Sequence, residues 1–175
     1  MAKIASDRNC GDCTACCDGW LKAEIKGDGL THHTASPGSP CMYSSSTGCQ
    51  VYESRPVSPC RVFRCEWLTN LDLPEKFKPN RSKVILKGNF VWERPMSNVP
   101  VAVATAVGAK LPGKTVQWLS AYAEENRVVV LCIEHVREGK AFSGAQRKYG
   151  LGRPDLVEQV RDFVSRGQEI LIRPA

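Results

Sequence analysis

Four of the nine cysteines fall within eight residues, Cys10-Gly11-Asp12-Cys13-Thr14-Ala15-Cys16-Cys17, spaced C-x-x-C-x-x-C-C. Four more follow at Cys41, Cys49, Cys60 and Cys65. Thiols this dense serve disulfides, metal binding or redox chemistry. The choice turns on compartment. Residues 1–8 lack the apolar core of a signal peptide, and no run of about 18 apolar residues exists to span a membrane. A cytoplasmic location is expected. Thiols stay reduced there, and clustered cysteines are metal ligands rather than disulfides. The odd count and the adjacent pair Cys16-Cys17 also weigh against a secreted disulfide framework.

If residues 9–18 form one or two helical turns capped by Asn9, then Cys10, Cys13 and Cys17 fall within about 60° of one another, while Cys16 lies roughly 100° from Cys17. That spacing predicts three sulfurs at one site and Cys16 at another; a tight loop, which Gly11 allows, would also serve. Residues 18–26 alternate weakly as a strand would, and Trp20 is placed to shield the cluster. Residues 27–49 are rich in turn chemistry, with Gly27, Gly29, Pro37-Gly38, Pro40 and Gly48. Such a segment buries too little apolar surface to hold itself, and metal cross-links through Cys41 and Cys49 would supply the missing constraint. His32 and His33 lie in this stretch and read as exposed loop residues, since eight thiols are nearby.

The cysteine run, Pro40-Cys41, then Cys49 with Tyr52, Glu53 and Arg55-Pro56, then Cys60-Arg61, Phe63 and Cys65 together resemble the YkgJ-type family, described as a zinc- or iron-chelating domain. The resemblance covers about residues 10–68 and takes in eight of the nine cysteines. It implies metal chelation and says little about chemistry. Arg55 and Arg61 belong to the matching pattern, which implies that they offset thiolate charge and donate to sulfur. Arg64 reads as a surface residue.

The rest of the chain is of ordinary globular composition. Residues 1–70 carry 7 basic and 7 acidic side chains, so the whole net charge of +6 sits in residues 71–175. That excess permits nucleic acid or another acidic partner without demanding one. A connector with Pro74 and Pro79 leads to residues 82–93, read as a hairpin turning at Lys87-Gly88-Asn89. Residues 101–107 fit a strand or a buried helix, residues 115–126 an amphipathic helix, and residues 128–133 a buried strand. Pro154 opens and Gly167 closes the clearest helix, and residues 170–172 suit a last strand. Cys132, inside the buried run, reads as a core residue.

Gly108-Ala-Lys-Leu-Pro-Gly113-Lys114-Thr115 fits G-x-x-x-x-G-K-[ST], a pattern that wraps phosphates in a P-loop. Only 60 residues follow it, too few for the several βαβ units of such a sheet. A Pro-Gly turn entering a helix is the simpler reading. Residues 142–153 place Phe142, Arg147, Lys148, Tyr149 and Arg153 among glycines, which suits a solvated loop or a grip on single-stranded nucleic acid.

The sequence thus predicts an α+β protein. Residues 1–70 form a loop-rich cysteine metal-binding module, and residues 71–175 form a small β-sheet with two or more helices, the two packed as one compact unit. The metal ligands expected are Cys10, Cys13, Cys16, Cys17, Cys41, Cys49, Cys60 and Cys65. They suit about two zinc ions in a structural role, with iron or an iron–sulfur cluster as the alternative. Asp12, Asp18, Glu53 and Glu66 are the carboxylates available should the centre be an enzyme's, but nothing pairs them as an acid and base. Oligomeric state, substrate and partner are not legible.

Overall fold

The structure is a computed structural model that describes residues 8–27 and 29–175. Residues 1–9 are polar by sequence, suited to a short arm, and all but the last two lie outside the described residues. The first part of the chain has short elements only. A wide helical turn at Cys16–Trp20 is followed by the strand pair β1 (Ala23–Ile25) and β2 (His33–Ala35), then by β3 (Ser44–Ser45) and β4 (Gly48–Cys49). Both pairs are antiparallel. A second wide turn at Val57–Arg61 leads to the single-turn helices α1 (Glu66–Thr69) and α2 (Pro79–Ser82). The turn-forming residues break this segment before any apolar run grows long enough for more.

Longer elements begin at β5 (Val84–Arg94) and β6 (Pro100–Ala106). Helix α3 (Gly113–Asn126) crosses to β7 (Val129–Glu138), and a tight turn leads back along β8 (Ala141–Leu151). Helix α4 (Pro154–Ser165) and β9 (Leu171–Pro174) end the chain. The five strands form one sheet in the order β8-β7-β6-β5-β9. Only β6 and β7 are parallel, and α3 is the crossover that a parallel pair requires. The protein is therefore mixed α/β, with a five-stranded sheet and a few helices.

Alternation along the strands sorts the core. Val84, Leu86, Ala102, Ala104, Ala106, Val130 and Cys132 meet Leu119, Tyr122 and Ala123 of α3 on one face. Val101, Val129 and Leu131 lie on the other, under Val160 of α4 and beside Trp92. Ile85 shares that second face by register, yet it packs against Ala15, Cys65, Trp67, Leu68 and Leu73 of the cysteine-rich segment. That segment and α4 thus divide one face of the sheet.

Three expectations change. The hairpin expected at residues 82–93 is the single strand β5. Gly88 and Asn89 make a bulge in it rather than a turn, with the register shifting between Lys87 and Phe90 and Asn89 at φ 62°. The backbone N–H of Gly88 donates to Glu66 Oε2 at 3.2 Å, and a Cβ at that position would lie 3.0 Å from the same oxygen. Residues 142–153 are mostly strand rather than loop, because β8 pairs with β7 along nearly its whole length. Residues 101–107 resolve as strand. Cys132 is fully buried in the core, as expected. Among the described residues no helix is long and apolar enough to cross a membrane.

Candidate metal centre

The cysteine run does not form the helix its spacing allows. Gly11 takes φ +52° and closes a turn in which Cys13 N–H donates to Cys10 O at 2.9 Å. A second turn carries Asp18 N–H onto Thr14 O at 2.7 Å. Gly19 then takes φ +84° and presses flat against the backbone of Ser36. Cys41 N–H donates to Cys17 O at 2.7 Å, which holds Cys41 beside Cys17. The Asp18 carboxylate ties the turn to its neighbours by accepting from Thr14 Oγ1 at 2.9 Å and from Ser44 Oγ at 3.1 Å.

All eight expected cysteines line one cavity of about 200 Å³. All nine cysteines of the chain are free thiols. Seven of the eight pack in two groups, and Cys49 stands between them. Cys10, Cys13 and Cys16 pack with Cys65 against Ala15, Trp67 and Leu68. Cys17 and Cys60 pack with Cys41 against Ile25 and Ala35, and Cys49 acts on Cys17 and Cys60 and also on Cys10. In packing, Cys16 rather than Cys17 keeps company with Cys10 and Cys13, although Cys10 also acts on Cys17. The adjacent pair splits because the wide turn points consecutive side chains to different sides. Among the described residues, no three His, Cys, Asp or Glu side chains converge closely enough to hold an ion as they stand.

Crowding the thiols together makes thiolate costly. Burial pushes Cys16 well above its ordinary value, and Cys65, Cys17, Cys13 and Cys10 push the same way. Burial, then Cys49 and Cys41, raises Cys17 to about 12. Burial raises Cys65 to about 11. Burial also raises Cys10 and Cys60, and the charge of Arg55 partly offsets both. A cation among these sulfurs would reverse the balance.

Arg55 lines the cavity with its guanidinium 3.6 Å from the Tyr52 ring centre. Its Nε is buried and has no hydrogen-bond partner among the described residues, and the same is true of Trp67 Nε1, from another cavity-lining residue. Both atoms are donors that a thiolate can satisfy. Arg61, expected beside sulfur, instead braces the loop, donating to Arg55 O at 2.8 Å and Glu53 O at 2.7 Å. Arg64 is half-buried rather than a surface residue.

Two further cations escaped the sequence reading, because nothing local marks them. Lys78 is buried, with Nζ 2.5 Å from Asp12 Oδ1 and 5.0 Å from the Trp67 ring centre. Arg8 lies 4.8 Å from the same ring centre and donates to the carbonyls of Trp67, Asn70, Leu71 and Leu73. Trp20 packs beside the Cys65 set and also reaches β7 and β8, 5.5 Å from the His135 ring and 5.2 Å from Phe142. His32 is exposed, as expected, whereas His33 is half-buried against Cys41.

In the stretch resembling a P-loop, two of the groups that would meet phosphate and its magnesium are engaged elsewhere. Leu111 N–H donates to the buried carboxylate of Glu134 at 3.0 Å, and Thr115 Oγ1 donates to Ser82 O at 2.6 Å. Of the basic residues near β8, Arg153 pairs with Asp155 at 2.7 Å, and Arg147 approaches Glu134 at 3.9 Å. No family model, curated protein or solved structure matches the chain.

Proposed function

We propose that this chain binds metal through Cys10, Cys13, Cys16, Cys17, Cys41, Cys49, Cys60 and Cys65, in two sets of four, and that the ions hold its cysteine-rich segment in shape. The observation that carries the reading is the cavity: eight free thiols from five stretches of sequence line it, four packing in one group and three in another, with Cys49 acting on members of both. The buried, unpartnered donors of Arg55 and Trp67 fit the same reading, since they await an acceptor such as thiolate sulfur. An ion would have to draw the sulfurs of each set inward, because they do not converge unaided. A divalent ion supplies the positive charge that lets four crowded thiols ionise together.

Zinc is favoured, at about two ions per chain, because four thiolates close a tetrahedral structural site. Each such site carries a formal charge of −2, and Arg55, which acts on Cys10 and Cys60, offsets both sets at once. The same donors suit iron or an iron–sulfur cluster. The resemblance to the YkgJ-type family agrees with either ion.

Elemental analysis of protein purified without oxygen, with its absorption spectrum, tests the proposal. About two zinc per chain and no visible band is the expected result. Iron with acid-labile sulfide would keep the thiolate centre and replace the structural role with redox chemistry. A chain that takes up neither metal sinks the proposal.

A further inference from the structure

His33 was set aside on sequence grounds as one of two exposed loop histidines. Its surroundings say otherwise. Nδ1 lies 2.8 Å from the carbonyl oxygen of Thr31, which can only accept, so Nδ1 carries the proton. Nε2 receives the backbone N–H of Met42 at 3.3 Å, so Nε2 presents its lone pair. Two independent neighbours therefore fix the same tautomer. That lone pair lies 3.2 Å from Cys41 Sγ. The ring is braced as well: Tyr43 sits edge-on at 5.7 Å, and its hydroxyl oxygen accepts Thr31 N–H at 2.9 Å. An imidazole whose Nδ1–H is anchored on a backbone carbonyl, with its Nε2 lone pair shared between the Met42 N–H and the Cys41 thiol, is oriented as metal-ligating histidines are.

We infer that His33 is a direct ligand of the ion held by the Cys17, Cys41, Cys49 and Cys60 set, which makes that site mixed sulfur and nitrogen. The inference rests on the metal-binding reading above. His33 brings this set to five donors, while a tetrahedral ion takes four, so one donor is surplus. The Cys10, Cys13, Cys16 and Cys65 set packs with Trp67, Leu68 and Leu73. The two sites would differ in kind: one closed and all-sulfur, the other mixed and able to exchange a donor. Binding at Nε2 gives up only the long contact from Met42.

The test uses the full chain loaded with cadmium-113 and labelled with nitrogen-15. Two cadmium resonances are expected, one of them coupled to His33 Nε2. In His33→Gln the coupled resonance should lose its nitrogen coupling and move toward the all-sulfur range as the surplus thiolate takes the vacant position, while the other resonance should stay. His32→Gln should change neither. Two cadmium resonances with no nitrogen coupling, both unmoved in His33→Gln, would overturn the inference and leave the metal-binding reading standing. A wild-type chain that takes up no cadmium would end both. The coupling is read in the wild-type protein, so a folding defect in the variant cannot imitate or hide it.

Discussion

Replacing Gly19 with alanine probes the geometry that splits Cys16 from Cys17. Gly19 is buried at φ +84°, ψ 9°. An added Cβ would lie 2.2 Å from Ser36 O, 2.5 Å from Ser36 C and 2.7 Å from Ser36 N. Ser36 cannot swing away cheaply, because it exchanges two backbone hydrogen bonds with Ser39, at 2.9 and 2.8 Å. The left-handed backbone alone costs alanine about 1 kcal/mol. Forcing two backbones apart adds about 1–3 kcal/mol by analogy with overpacked cores. The expected loss is therefore about 2–4 kcal/mol, a large share of the 5–15 kcal/mol typical of a domain. With a urea slope of about 2 kcal/mol/M, the midpoint should fall by roughly 1–2 M. Gly139→Ala is the control. It also has a positive φ, +62°, but its Cβ would meet nothing within 4 Å, so it should lose only the backbone share. Chemical denaturation of both variants, with zinc affinity measured by chelator competition, decides the matter. Equal losses in the two variants, or undiminished zinc affinity in Gly19→Ala, would refute the argument that this contact sets the cysteine geometry.

The remaining predictions concern the core, the metal and the loop before α3. Cys132 is held at about 12 by burial, against an ordinary 9.0. The unfolded chain therefore sheds this proton first as pH rises above 9, and stability, complete below that value, should fall by up to about 1.4 kcal/mol per pH unit between the two. In denaturation of the metal-free protein, Cys132→Ala should be less stable at neutral pH and show a shallower alkaline slope; an unchanged slope would count against the burial argument. Removing metal with a chelator should abolish hydrogen-exchange protection in β1 to β4 while β5 to β8 keep theirs. Equal protection with and without chelator would mean that metal does not hold the segment. Magnesium and ATP should leave the melting temperature unchanged, since Thr115 and Leu111 are already engaged. A dose-dependent rise would restore the phosphate-binding reading of that loop.

What the sequence revealed follows from where the information is local. Helix α4 was legible because Pro154 and Gly167 bracket an apolar stripe, and β7 because its apolar run is unbroken. The hairpin misread at Lys87-Gly88-Asn89 shows the limit. The same residues serve a turn or a bulge, and the choice lies with Glu66, distant in sequence, which takes the Gly88 N–H. Strand β8 escaped because residues 143–147 are exposed and carry no apolar alternation, while the pairing of its two ends with β7 is not written in the local sequence. The eight cysteines were obvious as a group. Their division was not, because helical periodicity assumed a continuous helix where Gly11 and Gly19 turn the chain at positive φ. His33 was hidden for a related reason: its partner Cys41 meets it only when β2 and the following turn close.

The sheet gives the cysteine-rich segment something it cannot make for itself, a rigid apolar wall. Ile85 is almost wholly buried, yet its contacts are with the cysteine-rich side. Trp67, in the middle of that contact, is flanked by two cations, Arg8 and Lys78, whose hydrogen bonds run to the connector carbonyls and to Asp12. Trp20 reaches the other end of the sheet through His135 and Phe142. These contacts fix the rim of the cavity, while the loops carrying Cys41, Cys49 and Cys60 have only short strand pairs and turns to order them. The Cys65 set is thus built against the sheet, and the Cys41 set is carried by short strand pairs and turns. On this arrangement metal should fill the Cys65 set first, with the second ion coupled to ordering of the β2 to β4 region. Zinc titration followed by amide resonances should then show α1 responding before β3 and β4. Simultaneous changes in all three would mean that the two sets close as one cluster.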